Sequence, residues 1–265
     1  MKKLIPIIAI TVVIFMCACL FGKRAVIHFF DDGAPQPQVH SAVSDIRLKK
    51  GDFVFFGKYG EEDILWQVTD VSNGKPLLTS YYVICQKPFD AGDEKYKFGS
   101  SNWESSSLKK WLNSSDTNIS YDNPPDNGSV FGGWNSYDSE PGFLNKDNFT
   151  KTQKNMISGQ GVFILSKKEV STYFNAAQRK KGLSESAAVI DESPYIVTSG
   201  MSVWYWTRTP VSSNKMCVTA VTTSGGFYKS PAYDSTAGVV PSLYLNSFDV
   251  EASGNGEFEN PYYLR

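Results

Sequence analysis

From residue 48 onward, aromatic and β-branched residues gather in short runs separated by polar turns. Residues 52–57 (DFVFFG) and 63–71 (DILWQVTDV) are two such runs, of the composition that suits a pleated, half-buried strand. Asn73-Gly74 separates the second from residues 77–84, and both turn residues tolerate positive φ, so the spacing predicts a hairpin. Residues 102–113, NWESSSLKKWLN, change the period. Leu108, Trp111 and Leu112 stand at i, i+3, i+4 behind a capping serine, Ser105 or Ser106, which predicts a short amphipathic helix with Lys109 and Lys110 outside. Trp103, just before it, is placed to pack back as a staple. A second short helix is expected to end at 156–157, and residues 161–165 (GVFIL) read as a buried strand. Ser166 and Glu169 form a capping box, after which Val170, Tyr173, Phe174 and Ala177 continue one apolar face towards a stop at Gly182. Beyond it, residues 203–208, 216–222, 226–229 and 239–246 read as strands among Gly- and Ser-rich turns, and Asn255-Gly256 and Asn260-Pro261 mark turns in the tail. Strands, then helices, then strands predict an α+β domain with short antiparallel sheets and two or three helices.

Two segments break this pattern. Residues 114–143 are dominated by Asn, Ser, Asp, Gly and Pro, punctuated by Tyr121, Phe131, Trp134 and Tyr137. A loop this long inside a compact domain is usually functional or disordered. Rigid aromatics among small hydrogen-bonding residues resemble the chemistry of an antibody paratope. These four rings are the candidate ligand-binding residues, either exposed or folded down onto the body. At the other extreme, residues 4–21 carry no charge between Lys2-Lys3 and Lys23-Arg24. Such a run just spans ~30 Å of hydrocarbon as a helix. An uncleaved signal anchor, a cleaved secretory signal and a lipoprotein signal with Cys19 as lipid carrier all compete; the anchor fits best because no A-x-A-like site precedes Lys23, Met16 suits a lipobox poorly, and the bulky residues after Cys19 are unlike a lipoprotein's polar tether. The expected organisation is a membrane segment over 1–24, a juxtamembrane linker over 25–47, and a single extracytoplasmic domain over 48–265. The flanking charges barely discriminate the direction of insertion.

Composition narrows the chemistry. Lys+Arg 26 against Asp+Glu 27 leaves a net charge of −1, and no dense basic run follows Lys50, so nucleic acid is not an expected partner. The histidines, His28 and His40, both precede the domain, which removes Ser-His-Asp, Cys-His and histidine-ligated zinc sites from its body. No phosphate-binding glycine loop occurs. Glu104 as a general acid is outweighed by its place beside the helix start, which suits a structural hydrogen bond. Residues 122–128 (DNPPDNG) are rich in oxygen ligands but lack the EF-hand spacing, and Glu140-Pro141-Gly142 matches a sugar-binding Glu-Pro-Asn tripeptide only in its first two residues. Both read as turns. No metal and no cofactor is expected. Cys85 and Cys217 are the cysteines outside the apolar segment, and are read either as one bridge or as two buried side chains.

The ordered series GDFVFFGKYG, ILWQVTDV, KPLLTSYYVI, NWESSSLKKWLN, FILSKKE, VWYWTRTP and AGVVPSLYLN resembles the bacterial family called domain of unknown function 6273, over roughly residues 50–247. The resemblance implies a C-type-lectin-like fold in surface or exported proteins, with no established activity. Trp103, Glu104, Trp111, Leu112, Asn113 and Arg208 fall on its motif positions and are expected to be framework. Lys109 and Val240 stand where the family pattern has arginine. Formylglycine-generating enzymes share the C-type-lectin-like fold and bind copper through a cysteine pair, so by analogy Cys85 and Cys217 would have to meet in one cleft for a copper-dependent oxidase. The expected function is non-enzymatic binding of a cell-surface glycan or protein, with a structural or assembly role in an envelope complex as the alternative.

Overall fold

The aromatic runs do become strands, and the strands dominate. The computed structural model describes residues 43–91, 97–119, 137, 140–188 and 201–265. These lie within one compact unit, Pro35–Arg265. The described strands are β1 (Ser44–Arg47), β2 (Phe53–Tyr59), β3 (Glu62–Asp70), β4 (Leu77–Ser80), β5 (Cys85–Gln86), β6 (Ile157–Ile164), β7 (Lys181–Gly182), β8 (Ser202–Val203), β9 (Tyr205–Val211), β10 (Asn214–Val221), β11 (Phe227–Pro231), β12 (Gly238–Val239), β13 (Pro241–Leu245), β14 (Asp249–Ser253) and β15 (Tyr262–Leu264). An eight-stranded sheet runs β1-β14-β15-β2-β3-β4-β13-β6, a five-stranded sheet β11-β10-β9-β12-β5, and β7 pairs with β8. Pairing is antiparallel except for β15 beside β2 and β12 beside β9.

This corrects the α+β, C-type-lectin-like expectation. Strand outweighs helix, 42% to 14%. The described helices are short: α1 (Ser107–Asn113), α2 (Lys151–Met156), α3 (Lys167–Tyr173) and α4 (Glu185–Ala188), with a single 3₁₀ turn at Trp103–Ser105. They are spliced between strands of two interleaved sheets instead of forming a helical layer of their own. Among the described residues no helix is long and apolar enough to cross a membrane. The apolar run 4–21, expected to be a transmembrane helix, lies outside those residues. The folded body also begins before residue 48, because β1 pairs with β14 from Ser44.

α3 shows how a helix ends early. Its capping box forms as the sequence predicts: Glu169 N–H donates to Ser166 Oγ at 3.2 Å, and Ser166 N–H to Glu169 Oε2 at 2.6 Å. The apolar face was expected to run on towards Gly182, yet Phe174 already has extended backbone. The Asn175 side chain then accepts from the N–H groups of Ala177 and Gln178, both at 3.0 Å. A short amide side chain competes here for backbone donors that a helix would need.

The main core lies between the two large sheets and α1. Val54, Phe56, Trp66, Val68 and Leu78 come from one sheet, Trp206, Val218, Ala220 and Val239 from the other, and Leu108, Trp111 and Leu112 from α1. Its three fully buried tryptophans each satisfy their indole N–H on a backbone carbonyl, as buried indoles must. Trp66 donates to Phe56 at 2.7 Å, Trp206 to Lys87 at 2.8 Å and Trp111 to Pro141 at 3.2 Å. A smaller cluster around Leu77, Leu165, Val170, Phe174, Tyr205 and Val240 fills a second apolar region.

Candidate functional site

α1 delivers the long loop. Ser106 caps it by accepting from Lys109 N–H at 3.2 Å, and Leu108, Trp111 and Leu112 are fully buried. At its end, Asn113 acts as a substitute backbone for β6. Its Nδ2 donates to Val162 carbonyl at 2.8 Å and its Oδ1 accepts from Val162 N–H at 2.8 Å. The neighbouring Gly161 has φ +71, and a Cβ there would lie 2.1 Å from Asn113 Oδ1, so this approach requires glycine. The two ends of the loop then close on each other. Leu144 N–H donates to Ser114 carbonyl at 2.9 Å, Gly142 N–H to Asp116 at 2.9 Å and Phe143 N–H to Trp111 at 3.0 Å.

Beneath this closure sits a buried polar knot. Lys87, with a side chain only 1% exposed, pairs with Glu140, the carboxylate at the returning end of the loop. Its ammonium lies 4.6 Å from the Trp111 ring centroid and 5.2 Å from that of Tyr137, a cation–π cage that favours a desolvated cation. Tyr59 donates its hydroxyl to the other Glu140 oxygen. Cys85 adjoins Tyr59. Burial pushes the Tyr59 phenol well above its ordinary range and the Cys85 thiol up to about 12. Neither ionises near neutral pH, so the thiol is not a standing nucleophile. The knot joins the returning end of the loop to Lys87 and to β2.

The sequence-derived residues sort accordingly. Tyr121, Phe131 and Trp134 lie outside the described residues, as does 122–128. Tyr137 is 3% exposed and donates its hydroxyl to Pro88 carbonyl at 2.6 Å, so of its two expected states it adopts the folded-down one. Trp103 is half-buried against Phe89, with ring centroids 5.8 Å apart. Glu104 is largely exposed and ion-pairs with Lys109, while its backbone N–H is capped by Asn102. Arg208 bridges elements, donating to Ile164 carbonyl at 2.6 Å and to Glu169 at 2.7 Å. Val240 lines a small cavity beside Lys181, so a lysine from another strand stands next to the position where the resemblance has arginine. In sequence Glu140 reads as part of a turn, and no motif marks Lys87. Only the apolar stretch around Lys87 hinted that its ammonium would be buried.

Cys85 and Cys217, the cysteines among the described residues, are free. Cys85 lies on β5 and Cys217 on β10, three strand spacings apart in the same sheet, or roughly 14 Å at the usual inter-strand distance. One copper ion cannot be held by both, which removes the oxidase analogy. Among the described residues no cluster of three potential metal ligands occurs.

A second concavity, an open cleft of about 450 Å³, lies between Phe55–Lys58 of β2, residues 146–153 and Tyr263–Arg265. One of its lining carboxylates, Asp63, is engaged by Tyr263 hydroxyl at 2.7 Å and Lys58 Nζ at 3.7 Å.

Compared with known proteins, residues 73–247 match the family described as "Domain of unknown function (DUF6273)". No curated protein and no solved structure matches. The matched range starts later than the motif series suggests, and it divides the large sheet cleanly. β4, β13 and β6 fall inside it, whereas β1, β14, β15, β2 and β3 fall outside and form the contiguous other half.

Proposed function

The chain belongs to the DUF6273 family, and from that premise we propose that it is a non-enzymatic binding domain whose recognition element is the loop 114–143. One observation carries this reading: both ends of the loop are fixed, by backbone closure at Ser114–Leu144 and by the buried Lys87–Glu140–Tyr59 knot. Binding residues belong on loops held by a rigid scaffold, and a buried ion pair at a loop base is a strong positional constraint. Tyr121, Phe131 and Trp134 are the ligand-facing residues in this proposal, whereas Tyr137 belongs to the base. Aromatics flanked by Asn, Ser and Asp suit a glycan or a protein surface, because flat rings stack on apolar faces while small polar groups satisfy hydroxyls and amides.

The apolar run 4–21 supports a place at the cell membrane with the domain outside the cytoplasm, and lipid attachment at Cys19 is the competing mode of tethering. The test uses the full chain in detergent, incubated with purified cell-wall glycan and compared with a Phe131→Ala, Trp134→Ala variant. Retention is expected to fall at least tenfold while the melting temperature stays within about 2 °C, the small change that substitutions away from a packed core produce. Equal retention by both proteins would move the function to the folded faces and to an assembly role.

A further inference from the structure

We draw no further inference here: the strongest candidate, the open cleft of about 450 Å³ between β2, residues 146–153 and Tyr263–Arg265, mixes lysine, arginine and aspartate along its lining and has Asp63, Asn148 and Gln153 already hydrogen-bonded within the protein, so nothing in the structure shows what would fill it.

Discussion

At the scale of single residues, the Lys87–Glu140 pair is asymmetric, and the asymmetry fixes what mutation should do. The lysine side chain is 1% exposed and the glutamate 26%. Glu140→Gln takes a charged partner from the more deeply buried group and should cost about 2–3 kcal/mol, because a buried ammonium loses a charge-assisted hydrogen bond. Lys87→Met leaves a carboxylate that water can still reach and keeps the contact with Trp111, so it should cost roughly half as much. Denaturant unfolding of the two variants checks the order. If Lys87→Met proves the worse, the ammonium's aromatic cage outweighs its ion pair. Asn113 allows a second comparison. Asn113→Ala leaves Val162 N–H and carbonyl without partners and should cost about 2–3 kcal/mol, and Gly161→Ala should fail comparably through its collision with Asn113 Oδ1. The double variant should cost less than the sum of the two, since Asn113→Ala removes the atom that Gly161→Ala strikes.

At the scale of elements, α3 and β9 are joined through the Glu169–Arg208 pair. Burial pushes the Glu169 carboxyl up, but the hydrogen bonds from Arg208 and Ser166 outweigh it and leave the group below its ordinary value of 4.5. A carboxyl lowered by folding stabilises the folded state above its unfolded pKa, and that contribution is lost as pH falls through the folded value. Glu169→Gln should therefore be less stable than the wild type at pH 7 by about 1 kcal/mol, a modest figure for a partly exposed pair. The gap should close below pH 4.5. A gap independent of pH would show that capping geometry, not charge, is what the glutamate supplies. The same element marks the limit of local reading. Ser166 and Glu169 announce the start of α3 within four residues, whereas its end depends on Asn175 turning its amide onto nearby backbone and on Lys181 pairing with Val203.

At the scale of the whole molecule, most strands were legible because β-branched and aromatic runs are a local signal. Their assembly was not. β2 finds β15 as its parallel neighbour and β13 finds β4 and β6, pairings set by burial of the shared core across long sequence separations. The expectation of an α+β fold failed for the same reason: periodic stretches at α1 and α3 were real but brief, and the packing that decides the class is made by sheets. The candidate site was half legible. The loop is conspicuous in composition, but its anchor joins Lys87 to a glutamate 53 positions away, and no spacing rule connects them. Tyr137 belongs with that anchor.

The central claim is that the scaffold exists to hold loop 114–143 in place for binding. The most direct measurement replaces residues 120–136 with a short Gly-Ser bridge, leaving Tyr137, Glu140 and the closure at Ser114 intact. Binding of the full chain to purified cell-wall glycan and envelope extract is then measured alongside its melting temperature. The account predicts a protein that melts within a few degrees of the wild type, since the entropy of closing a loop changes only slowly with its length, and that no longer binds. Undiminished binding by that protein would contradict it.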